Sequence, residues 1–230
     1  MDALMFRHMR GVAIVAICLC PSLARGQMWA PQPMIVQAPM AYPASVAPRG
    51  HMAPRNQPVA NSENFIVFAS SPEWAQEVIQ AAEEHRRELA MHWLGQELPP
   101  WPERCPIHVT SGPNLGAGGE TRFSLLPRGA GNWMMSVQGT RERVLDSVLP
   151  HEITHTIFAT YFARMNKYVP RWADEGACTT VEHESEKRKH RHFLTEFLQT
   201  GRGLAFNQMF QLKEYPADIL PLYAQGHSAV

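Results

Sequence analysis

The chain lacks an excess of charge of either sign. Lysine plus arginine number 21 and aspartate plus glutamate number 21. No overall field therefore draws it to nucleic acid or to an anionic membrane surface. Long hydrophobic runs are missing too. The apolar run at residues 11–20 is ten residues long, and a bilayer span needs about 20. Cysteine is scarce, with four in 230 residues, which excludes a small disulfide scaffold. The glycines of residues 112–119 are not followed by Gly-Lys-Ser/Thr, so a phosphate-cradling loop is excluded there. There is no internal repeat.

What is present begins with a targeting pattern. Arg7 and Arg10 precede the short apolar run, and Ala24-Arg25-Gly26 places small residues two apart. Residues 1–26 read as a signal peptide cleaved after Gly26, leaving no transmembrane span and giving a product secreted or held in the periplasm or cell envelope. Cleavage would remove Cys18 and Cys20 together with Asp2, Arg7, Arg10 and Arg25, leaving 18 basic and 20 acidic residues. Cys105 and Cys178 would remain, as a disulfide or as two separate thiols. Residues 27–62 hold seven prolines and no acidic residue. They read as an extended, disordered linker.

A folded domain is expected over residues 63–230, and 45% apolar content supports a sizeable core. Residues 65–68 and 107–110 suit buried strands. Ser71-Pro72-Glu73 supplies a hydroxyl N-cap, a proline at the first helical position and an acid at the positive end. The helix it opens runs over residues 72–94 and stops at Gly95. Residues 112–119 read as a loop. Residues 123–126 and 133–138 read as two further strands, with Trp133, Met135 and Val137 on one face. Helical pattern dominates from Arg141 onward. Strands followed by helices predict an α+β domain. The charged run at residues 182–192 reads as a solvated helix face. Tyr223 to Val230 read as the opening of a further helix, and the expectation is a domain either truncated at its C-terminus or closed there by a minimal wall.

The segment richest in chemistry is His151-Glu152-Ile153-Thr154-His155. Residues four apart on a helix share a face, so both imidazoles can point at one ion while Glu152 reaches a water beside it. The flanks are apolar at helical spacing. Pro150 either starts this helix or kinks a longer one. The bland alternative is two surface histidines beside a solvated glutamate. A catalytic ion with one open position needs a third protein ligand. Glu175, within Trp172-Ala173-Asp174-Glu175-Gly176-Ala177, is the candidate.

His-Glu-x-x-His followed about twenty residues later by Trp-x-x-Glu-Gly-Ala resembles the gluzincin branch of zinc peptidases. The resemblance covers residues 150–181. It implies a zincin-like α+β fold, with a small mixed sheet packed on the motif-bearing helix and a helical part after it. It implies one Zn2+ held by His151, His155 and Glu175, with Glu152 as general base. It also implies an oxyanion-stabilising side chain downstream, for which Tyr223 and His227 are candidates by position. The edge strand that pairs with substrate is expected at residues 133–138. Thermolysin-like members carry an aspartate where this chain has Thr179, so Asp174, Asp146 or a carbonyl is expected to orient a histidine. The aminopeptidase exopeptidase motif is absent. The expected activity is zinc-dependent hydrolysis of peptide bonds in a peptide or protein substrate. The alternative is a catalytically inactive metal-binding domain acting as an envelope binding or scaffold protein. No spacing speaks to the oligomeric state.

Overall fold

The computed structural model describes residues 59–127 and 129–230. The signal peptide and all but the last four residues of the expected linker lie outside them. Those four include all of β1 (Val59–Asn61), which pairs antiparallel with β2 (Phe65–Phe68). Folded structure therefore starts ahead of Glu63.

Next comes α1 (Pro72–Leu94). The Ser71 hydroxyl accepts the Trp74 N–H at 3.1 Å, satisfying a donor that the first turn leaves free. At the far end Gly95 adopts φ +70° and donates its N–H to the Met91 carbonyl, a left-handed cap that favours glycine. Both ends match the sequence expectation, because each is decided by local chemistry.

The chain continues through β3 (Cys105–Ser111), β4 (Gly118–Leu126) and β5 (Gly129–Gly139). The five strands form one mixed sheet in the order β1-β2-β3-β5-β4. β2, β3 and β5 are parallel, and β4 runs antiparallel to β5. Two expectations need correcting. Gly118 and Gly119 belong to β4 rather than to a loop. Residues 133–138 lie in β5, which is flanked by β3 and β4, so the sheet's edges are β1 and, beside α3, β4. Alternation in a sequence reveals which face is buried, and says nothing about which neighbour a strand takes. The alternation itself holds: Trp133, Met135 and Val137 are buried, while Asn132 and Met134 are exposed.

A helical stretch then starts with α2 (Arg141–Arg143), passes through a π-helical turn (Val144–Val148) and enters α3 (Leu149–Ala163). The Leu149 N–H reaches back to the Val144 carbonyl. Pro150, in the first turn of α3, has no N–H to give and crowds the preceding turn. A π turn just before it accommodates the ring without breaking the helix. Every residue of α3 from Leu149 to Thr160 is buried. Helix α1 packs on β1 and β2, α3 packs on β4 and β5, and the two helices pack on each other. Ile153 and Ile157 are completely covered, each contributing about 1.5–3 kcal/mol of burial.

The second half is helical: α4 (Arg171–Thr180), α5 (Glu184–Gln199), the short α6 (Phe206–Met209) and α7 (Leu220–Ala229). Helices α4 and α7 cross closely at Gly176 and Gly226. A Cβ on Gly176 would lie 2.4 Å from the Gly226 carbonyl oxygen, and one on Gly226 would lie 2.6 Å from the Trp172 carbonyl oxygen. Glycine at both positions is what permits the approach. No described helix is long and apolar enough to cross a membrane.

Candidate metal centre

One turn of α3 presents His151 and His155 side by side, with ring centroids 5.1 Å apart. Helix α4 brings Glu175 against both. Its Oε2 lies 3.5 Å from His151 Nε2 and 3.6 Å from His155 Nε2. All three residues are buried, and all three of these atoms lack a hydrogen-bond partner. Unpaired polar atoms in a protein interior are costly. Here three of them converge from two helices, an arrangement with the chemistry of a cation's donor set.

The opposite edge of each imidazole is anchored. His151 Nδ1 meets Glu182 Oε1 at 2.7 Å, and His155 Nδ1 meets Asp174 Oδ1 at 3.0 Å. A carboxylate on Nδ1 fixes the proton there and leaves the Nε2 lone pair facing inward. The Tyr215 hydroxyl donates to Glu175 Oε1, which leaves Oε2 as the free oxygen. Thr179, where thermolysin-like enzymes carry an aspartate, instead donates to the Glu175 backbone carbonyl at 2.8 Å. Of the orienting groups expected, Asp174 is at the site. Asp146 is not: it accepts from Ser147 and faces Arg143.

Two overlapping groups of donor atoms lie within 4.8 Å of one another, His151–His155–Cys178 and His155–Asp174–Glu175. Hydrogen bonding separates framework from ligand. Cys178 Sγ is 3.4 Å from His155 Nδ1, the nitrogen that Asp174 already holds. The two Nε2 atoms and Glu175 Oε2, by contrast, have no hydrogen-bond partner, and Oε2 lies between the two nitrogens at 3.5 and 3.6 Å. Cys178 and Cys105 are buried free thiols and are not bridged to each other.

Glu152 sits on the other side of α3, fully buried against β4. Its Oε2 accepts from Thr121 Oγ1 at 2.6 Å, and its Oε1 has no partner. Gly119 makes room for it, since a Cβ there would fall 2.4 Å from Oε1. Tyr223 reaches the site from α7. Its ring stacks on His151 at 6.2 Å between centroids, and its buried hydroxyl makes no hydrogen bond. His227 is not brought to the site; it lies half-buried beside His190, 6.2 Å away between centroids.

The electrostatics favour positive charge at the centre. Burial works against protonating His151, but the nearby Glu175 and Glu182 carboxylates outweigh burial and hold its pKa well above the usual range. Burial likewise opposes protonation of His155, and Asp174 and Glu175 raise its pKa in spite of it. Burial pushes the Glu175 carboxyl up, and the two imidazoles more than reverse that. For Glu152 burial prevails over the neighbouring histidines and Thr121, so its carboxyl is raised. Four buried carboxyls, Glu152, Asp174, Glu175 and Glu182, thus surround two imidazoles, and the surplus of acid favours positive charge between them.

Glu182, Tyr215 and Thr121 were not legible in the sequence as participants. Glu182 opens the charged run expected to be solvated, yet it is buried, as are Glu186 and His190 on the same side of α5. Tyr215 lies in the connection before α7, where no spacing marks it. No known protein family matches the chain, and no curated protein or solved structure matches it either.

Proposed function

We propose that this protein is a zinc-dependent peptidase of the gluzincin kind, with a zincin-like arrangement of sheet and motif helix. The observation that carries the reading is the convergence of three unpartnered buried atoms, His151 Nε2, His155 Nε2 and Glu175 Oε2. Two neutral imidazoles and one carboxylate oxygen suit Zn2+ and leave a fourth position for water or substrate. Zinc bound there would polarise a peptide carbonyl and lower the pKa of a bound water to about 7.

The chain's own groups supply the rest. Glu152 Oε1 is free to take a proton while Thr121 holds the other oxygen in place. Burial makes this carboxylate a stronger base than an exposed one, and the proton it gains is the one it returns to the leaving amine. The unpaired Tyr223 hydroxyl is a donor for the charge that develops on the carbonyl oxygen. β4, as the edge strand beside Glu152, offers backbone groups with which an extended peptide can pair. The reading as an exported protein rests on the pattern of residues 1–26 and is checked by sequencing the N-terminus of the mature product.

The test combines metal analysis with digestion. Purified protein should carry one zinc per chain and cut casein or a peptide library. Glu152→Gln should abolish cutting while retaining zinc. Protein without stoichiometric metal would refute the reading. Zinc without any cutting would leave the metal-binding scaffold reading in its place.

A further inference from the structure

Helix α4 presents a second donor to the two histidines of α3. Cys178 follows Glu175 by three residues, and residues three apart share a helix face. Its side chain is fully buried, and its thiol is free. The sulfur sits 3.4 Å from His155 Nδ1. Two donors on one tetrahedral ion lie about 3.5 Å apart, so this pair already stands at that spacing. One donor atom each from His151, His155 and Cys178 lie within 4.8 Å of one another. Closing the remainder takes a side-chain shift of about an ångström. His151 Nε2 is buried and has no hydrogen-bond partner, so this nitrogen is free to bind an ion. Asp174 holds the His155 Nδ1 edge at 3.0 Å, which keeps a negative charge beside the sulfur.

One face of α4 therefore offers the same two imidazoles either a carboxylate oxygen or a sulfur. Zn2+ is a borderline ion, and for it the oxygen of Glu175 already lies in place. Softer ions favour sulfur, because a polarisable thiolate stabilises a polarisable cation more than a carboxylate does. We propose that the centre has a second donor set, His151, His155 and Cys178, which takes a soft, thiophilic cation of the cadmium(II) kind in place of zinc. The S–H bond breaks as the S–metal bond forms, and the proton leaves to solvent. The two ions exclude each other, because both sets draw on the same histidines. The inference rests on the histidine pair as metal ligands and needs no peptidase activity.

The experiment titrates the metal-free full chain with Cd2+ alone and with Zn2+ alone. Cys18→Ser and Cys20→Ser are built in, so that thiols outside the described residues add no signal. Cd2+ should bring up a sulfur-to-cadmium charge-transfer band that saturates at one ion per chain. Cys178→Ser should remove the band and weaken Cd2+ by about 100-fold or more, since loss of a group that merely orients a ligand already costs about 10–100-fold. Zn2+ affinity should be unchanged in that variant. Glu175→Gln should do the reverse, weakening Zn2+ and keeping the band. Cys105→Ser should leave both ions as they were. If Cys178→Ser lowers the melting temperature of the metal-free protein, Cys178→Ala takes its place. Cd2+ binding without the band, or a band that survives Cys178→Ser, would overturn the inference and leave the zinc reading standing. Equal loss of both ions in either variant would show a single donor set and overturn it too. Failure of both ions to bind would remove the inference together with the metal centre beneath it.

Discussion

The two sides of the candidate centre are built differently. On the sheet side, Glu152, Thr121 and Gly119 belong to α3 and β4, which pack directly on each other within the main core. On the helical side, Glu175, Glu182, Tyr215 and Tyr223 come from α4, the turn after it, the connection before α7, and α7 itself. The sheet side is held by fully covered aliphatic side chains such as Ile153 and Ile157. The helical side is held by a glycine-to-glycine crossing and by bonds between buried charged or polar groups. One half of the site thus rests on an aliphatic scaffold, and the other half on buried carboxylates that the proposed ion would stabilise.

Removing the metal should expose that difference most strongly. A ligand at 1,000 times its dissociation constant stabilises by about 4.1 kcal/mol. In a domain of this size that corresponds to roughly 10 °C in melting temperature. Chelation should lower the melting temperature by that order, and hydrogen exchange should locate the loss. Amides of α4, the start of α5 and α7 should lose protection, while those of α1 and β3 keep theirs. Uniform loss across both halves would dissolve the distinction.

The crossing of α4 and α7 comes next. Gly226→Ala would put a methyl 2.6 Å from the Trp172 carbonyl oxygen, so α7 must shift. Overpacking of this kind costs about 1–3 kcal/mol. Tyr223 rides on α7, and Gly226→Ala should therefore reduce kcat while zinc stays bound through residues of α3 and α4. Unchanged kcat would separate Tyr223 from the chemistry.

What could be read from the sequence follows the same division. The start and stop of α1 were legible because Ser71, Pro72 and Gly95 act on their own neighbours. The pairing of His151 with His155 was legible because helical spacing fixes it. Glu175 was reached only through the resemblance of its surrounding residues. Glu182 and Tyr215 were hidden, because what buries them is tertiary packing. A glutamate at the head of a charged run looks solvated until α4 and α5 fold its carboxylate under His151. The edge position of β4 was hidden for a related reason: the order of strands in a sheet depends on long-range pairing.

The two anchoring carboxylates sharpen the comparison within the helical side. Loss of such a group typically costs 10–100-fold in metal affinity. The Glu182 side chain is 1% exposed at 2.7 Å from its histidine, and the Asp174 side chain is 12% exposed at 3.0 Å. A shorter bond in a drier place is worth more. Glu182→Ala should therefore weaken zinc binding toward the upper end of that range and Asp174→Ala toward the lower. Competition with a chromogenic chelator reads both, and a reversed order would show that burial is not what ranks them.

The smallest effect belongs to the sheet side, and it concerns chemistry with no change in the metal. Thr121→Val removes the hydroxyl that holds Glu152 Oε2 and leaves a side chain of similar shape against α3. The hydrogen bond to a charged group accounts for about 1.5–3 kcal/mol, part of which returns as the carboxylate finds other contacts. The expected result is a fall in kcat of about 10-fold, the equivalent of about 1.4 kcal/mol, with zinc content and KM unaltered. Thr121→Ser should restore most of the rate, because the donor returns while the methyl does not. Since Thr121 touches no metal ligand, loss of zinc from Thr121→Val would mean that β4 supports the ion as well as the base. The two sides of the centre would then be one structural unit.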